Sequence, residues 1–68
     1  MNKIVTIEGM MCNNCVKHVQ DALKALGCNA KVVLEEKKAY LTNTSLTDDQ
    51  ITLAIDAAGY DVTEIING

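Results

Sequence analysis

A chain of 68 residues has room for one hydrophobic core, and residues 1–68 are expected to form a single domain. Nine acidic residues against six lysines, with no arginine, leave a net charge of −3. That balance supplies no basic face for a phosphate backbone and argues against a nucleic-acid partner. Hydrophobic residues make up 49% of the chain, but two tyrosines are its whole aromatic content, so the core has to be aliphatic. No apolar run approaches the ~20 residues that cross a bilayer, so membrane insertion is not expected. The start, Met1 to Glu8, has no signal-peptide pattern, and the expected location is cytoplasmic. Three cysteines are an odd set with two members close together, which excludes a disulfide scaffold as the organising principle.

Residues 3–8 alternate, with Val5 and Ile7 on one face and Thr6 and Glu8 on the other, as in a half-buried strand. Gly9 ends that strand, and residues 10–14 read as a loop. A helix is predicted from Cys15 to Leu26, with Val16, Val19, Leu23 and Leu26 on its inner face, Ala22 beside them and Gly27 as terminator. Residues 30–34 form a second strand that turns the face of Ala30, Val32 and Leu34 inward. Glu35 to Lys38 reverse the chain, and residues 39–42 return as a third strand. Asn43, Thr44 and Ser45 make a polar connection. Thr47, with Gln50 three positions later, is a capping box, and Asp48 and Asp49 sit at the positive end of the helix it opens. Ile51, Ala54, Ile55 and Ala58 supply that helix's inner face, and Gly59 closes it. Residues 60–66 alternate as a last strand, with Tyr60, Val62 and Glu64 on the side opposite Asp61, Thr63 and Ile65. The order βαββαβ is that of an α+β, ferredoxin-like fold, a four-stranded antiparallel sheet with two helices on one face.

The chemistry lies in Gly9-Met10-Met11-Cys12-Asn13-Asn14-Cys15. Two cysteines separated by two residues, at a loop entering a helix, can aim both sulfurs at one atom. The free N–H groups and positive dipole end of that helix favour thiolate over thiol. Two thiolates make a soft, low-coordinate site that suits Cu(I). Zn(II) normally takes four ligands, and no second CxxC, no CxxH and no histidine pair is present to complete them. The same pair also has the form of a redox dithiol.

The Gly-Met-x-Cys-x-x-Cys loop after a first strand, the βαββαβ order and the later Ala58-Gly59-Tyr60 together resemble the heavy-metal-associated domain family along essentially the whole chain. The resemblance implies a bacterial copper chaperone that carries Cu(I) on Cys12 and Cys15. It also implies Met10 tucked under the loop and Tyr60 close to the metal loop as a supporting residue. The implied partners are a copper-transporting P-type ATPase and a copper-responsive repressor, and copper-bridged homodimers are a further implication. Met11 stands where copper-binding members often carry Thr or Ser and zinc-binding members Asp. Cys28 stands near a usual buried valine, after a turn about one residue shorter than the family pattern. Cys28 is read as a small core or edge residue, since α-helical rise separates it from the loop by roughly 16 to 18 Å. His18, one helical turn beyond Cys15, is read as exposed.

The expected function is therefore a non-enzymatic Cu(I) metallochaperone that passes copper by thiolate exchange. An excised metal-binding domain of a copper-transporting ATPase is the first alternative, and zinc, cadmium or mercury are alternative cargoes. A thiol–disulfide oxidoreductase is the rival from another class; the missing Trp and Pro around the motif and the short chain speak against it.

Overall fold

The structure, a computed structural model, describes residues 2–42 and 44–67. Its elements run β1 (Lys3–Glu8), α1 (Asn13–Lys24), β2 (Asn29–Val33), β3 (Lys38–Thr42), α2 (Asp48–Ala57) and β4 (Asp61–Asn67). The strands form one antiparallel sheet in the order β2-β3-β1-β4. This is the predicted ferredoxin-like arrangement. Because β1 is paired on both sides, the loop that follows it hangs from the interior of the sheet.

Burial follows the alternation read from the sequence. Val5 and Ile7 of β1 meet Val19 and Leu23 of α1, Ala39 and Leu41 of β3, and Ile51 and Ile55 of α2 in one aliphatic core. The helix that opens at Thr47 carries the predicted capping box. The Thr47 hydroxyl accepts from the Gln50 amide at 3.2 Å, and the Gln50 side chain accepts from the Thr47 amide at 2.9 Å. Lys3 forms an ion pair with Asp48 at 2.6 Å, which joins β1 to the same helix start. In the connection before α2, Thr44 is buried and its hydroxyl accepts the Leu46 amide at 3.1 Å; Asn43 lies outside the described residues. No helix among the described residues is long and apolar enough to cross a membrane.

Several local expectations are corrected. The first helix begins at Asn13 rather than Cys15 and ends at Lys24 rather than Leu26. Beyond Lys24 the chain closes in a Schellman turn. Gly27, at φ +78°, donates to the Lys24 carbonyl at 2.9 Å, and the Cys28 amide donates to the Leu23 carbonyl at 3.3 Å. That turn swings Leu26 outward to 42% exposure and brings Cys28 inward to 7%, onto the core beside Leu23. Cys28 is thus the core residue expected. The second and third strands each begin one residue earlier than predicted. The hairpin turn between them needs no glycine because Lys37 adopts the left-handed conformation, φ +56°, and donates to the Leu34 carbonyl at 3.1 Å.

The last strand holds the largest correction. Tyr60 lies before β4, in the turn that Gly59 opens at φ +97°. Within β4 the pairing with β1 slips: Thr6 faces Glu64, whereas Ile7 faces Val62, so Thr63 is an extra, bulged residue. The bulge reverses the alternation, leaving Glu64 exposed and packing both Val62 and Ile65 against the core. Two truncations check this phase by urea denaturation. Ile65→Ala, packed against the core, is expected to cost about 2 kcal/mol or more. Ile66→Ala, on the outer side of the sheet, is expected to cost less than about 1 kcal/mol. Equal losses would contradict the placement.

Candidate metal centre

Gly9 turns the chain out of β1 at φ +98°, and Met10 drives its side chain back into the core, 3% exposed. Its burial ties the loop to the core. Met11 then projects outward, 85% exposed. Cys12, with extended backbone at φ −158°, is the N-cap of α1, and its carbonyl accepts the amides of Cys15 at 3.0 Å and Val16 at 3.2 Å. Cys15 is therefore the third residue of the helix. The N-cap and third helical positions are the two that a capping box uses, and side chains placed there face one another. At α2 they are Thr47 and Gln50, closed by hydrogen bonds. At α1 they are two cysteines, with no hydrogen bond from the Cys12 side chain to the helix and no acidic residue in the first turn. The sulfurs lie 3.7 Å apart, Cys12 exposed and Cys15 half-buried.

Tyr60 completes the surroundings. Its amide donates to the Ile55 carbonyl at 3.2 Å, and its ring is half-buried against the core. A Cβ placed on Gly9 would lie 3.5 Å from the Tyr60 Cδ1, so the ring packs directly on the loop. Hydrogen bonding from the Tyr60 hydroxyl is the main influence that lowers the Cys15 thiol from its ordinary 9.0 to about 7. The Met11 backbone and Cys12 add to the lowering, against a smaller opposing effect of burial. The same hydrogen bond, aided by burial and the nearby thiolates, raises the Tyr60 phenol above its usual range.

The site brings together Cys12, Cys15 and Tyr60, with Met10 beneath them. It does not gather Cys28, which follows the far end of a 12-residue helix, about 18 Å in length. Among the described residues no group of three or more His, Cys, Asp or Glu side chains is placed to hold a metal ion. The donors on offer are two sulfurs. His18 is exposed, as expected, but its Nδ1 lies 3.2 Å from the Tyr60 hydroxyl, a contact that sequence reasoning missed. The signal was its position three residues after Cys15, which puts both side chains on one side of α1.

No family model matches the chain, so kinship rests on comparison with individual proteins. A solved CopZ metallochaperone is 30% identical and superposes with a TM-score of 0.84, over 93% of this chain and 100% of that one. The chain belongs to the heavy-metal-associated domain family. A copper-binding domain of a P-type ATPase is 28% identical with a TM-score of 0.85, over 97% of this heavy-metal-associated domain and 95% of that chain. A mercuric reductase of Shewanella putrefaciens is 38% identical over 60 residues, 84% of this chain; the match spans 11% of the reductase's length.

One prediction concerns the thiol itself. Tyr60→Phe removes the donor that most favours the thiolate, so the Cys15 midpoint should rise from about 7 toward 9.0. Thiolate absorbance followed against pH in the reduced, metal-free protein reads this directly. An unchanged midpoint would show that the phenol does not act on Cys15.

Proposed function

We propose that this heavy-metal-associated domain is a cytoplasmic Cu(I) metallochaperone that holds copper between Cys12 and Cys15 and passes it on by thiolate exchange. The observation that carries the reading is the facing sulfur pair, 3.7 Å apart at an outward-turned helix start. A linear bridge through one metal ion spans about 4.6 Å, taking ~2.3 Å for each metal–thiolate bond. A small side-chain adjustment opens the pair to that width. Two soft donors satisfy Cu(I) and leave Zn(II) short of its four. The likeness to a metallochaperone and to a copper-binding ATPase domain supports the same cargo.

Transfer follows from the coordination number. A partner thiolate forms a third sulfur–copper bond, after which the bond to one of the original cysteines breaks and that sulfur leaves as thiolate or takes up a proton. Exposed Cys12 is the sulfur that a partner loop reaches first, while half-buried Cys15 stays anchored beside Tyr60. The partner is a copper-transporting P-type ATPase carrying similar domains, with a copper-responsive repressor as a second recipient and a copper-bridged homodimer as the form adopted when two loops meet. Such a unit works by binding and exchange and not by turnover. The same geometry would serve a unit cut from an ATPase.

A second cargo, Hg(II), is favoured by the 38% identity to part of a mercuric reductase, since Hg(II) also accepts two thiolates in line. Anaerobic titration with Cu(I) against a competing chelator tests the leading reading. One copper per monomer is expected for the wild type and for Cys28→Ser, with loss of binding in Cys12→Ser/Cys15→Ser. Dependence on Cys28, or failure of the wild type to compete, would overturn it. Metal analysis of protein recovered from cells given equal copper and mercury separates the two cargoes. Acceleration of insulin reduction by dithiothreitol would point instead to a thiol–disulfide oxidoreductase.

A further inference from the structure

The helices cover one face of the sheet, where Val5, Ile7, Ala39 and Leu41 join the core. The residues between them turn to the other face. There the strand register aligns Lys31, Tyr40, Ile4 and Ile66 in one row across β2, β3, β1 and β4. Val33, Lys38, Thr6 and Glu64 make the next row. Ile4, Tyr40 and Val33 are half-buried and Ile66 is 44% exposed, so an apolar strip crosses this outer face. The charges around the strip are sorted by side. The β2–β3 half carries Lys31 and Lys38, and the nearby Glu36 carboxylate accepts the Tyr40 hydroxyl. The β1–β4 half carries Glu64 and, further along, the paired Glu8 and Asp61. Lys31 and Glu64 lie on opposite edge strands, about 14 Å apart at ~4.8 Å per strand, and do not pair within one chain.

We propose that this face is the interface of a weak, metal-independent homodimer, in which a second copy packs sheet to sheet about a two-fold axis running along the strands between β3 and β1. Charge selects that axis. It lays the β2–β3 half of each copy on the β1–β4 half of the other, so each Lys31 approaches Glu64 of the second copy. A two-fold axis across the strands would set lysines over lysines and carboxylates over carboxylates. The chosen axis also places each Tyr40 over Ile4 of the second copy, with an aromatic ring at the centre and charge at the rim, as protein interfaces favour. The face is small. It spans about 14 Å between the edge strands and about 17 Å along five residues, well short of the ~800 Å² per partner of a standard interface. Association therefore belongs to high concentration. An axis along the strands preserves their direction, so both sulfur loops emerge at the same end of the dimer. Neither loop is enclosed, unlike in a copper-bridged pair, and the inference stands apart from the cargo reading.

Sedimentation velocity of the reduced, metal-free protein from micromolar to millimolar concentration tests it. The sedimentation coefficient should climb toward that of a dimer, equally in the wild type and in Cys12→Ser/Cys15→Ser. Lys31→Glu and Glu64→Lys should each weaken association about tenfold or more, since two contacts per dimer change sign. Mixed in equal amounts, the two variants should associate again, because one then carries lysines where the other carries carboxylates. That rescue also shows that neither substitution acts by unfolding the chain. A wild type that stays monomeric at millimolar concentration overturns the proposal and leaves the face to a different protein. Association that needs copper or the two cysteines overturns it in favour of the bridged form. Single variants that dimerise like the wild type, or a mixture that stays monomeric, would put the interface on another surface.

Discussion

A spacing of three residues at a helix start governs this molecule's chemistry. The N-cap and the third helical residue turn their side chains toward one another because the first turn has to satisfy its own amides. The chain uses the position twice. At α2 a hydroxyl and a carboxamide close the turn and spend the hydrogen bonds locally, which stabilises the helix. At α1 two thiols occupy the same places without a side-chain cap hydrogen bond, and the sulfurs sit at the positive end of the helix dipole. The first helix start therefore forgoes the local stabilisation that the second one has.

The fastening around that start is apolar. Gly9 reverses the backbone, Met10 is buried under the loop, and the Tyr60 ring packs above Gly9. These contacts hold the loop by apolar packing. The phenol then tunes one of the two sulfurs. It distinguishes Cys15 from Cys12, making a chemically unequal pair out of two identical side chains. The pair is unequal in access as well, with Cys12 exposed and Cys15 half-buried.

Much of this was legible in the sequence, for identifiable reasons. Alternation exposed β1, the capping box exposed α2, and the Cys12–Cys15 spacing exposed the sulfur pair, because each depends on residues close in the chain. What escaped depends on partners far apart. The bulge at Thr63 is set by how β4 must slip against β1 to bury both Val62 and Ile65, and no local alternation records it. Leu26 fits the helical period yet turns outward, because the Schellman turn at Gly27 claims the place for Cys28. The contact of His18 with Tyr60 joins residues 42 positions apart, so helical spacing could give the side of α1 on which His18 lies but not what meets it there.

Strand pairing has one more consequence. Lys3 pairs with Asn67 at one end of the β1–β4 ladder, and Glu8 pairs with Asp61 at the other, beside the sulfur loop and Tyr60. Both ends of the fold therefore leave from the side away from the cysteines. A tether joined at either end would leave the sulfurs facing outward and free to sweep toward a neighbouring acceptor. Delivery would then be governed by local concentration rather than by free encounter. The same strand pairing suits a freely diffusing carrier, a string of such units, or a short module attached to a much larger protein.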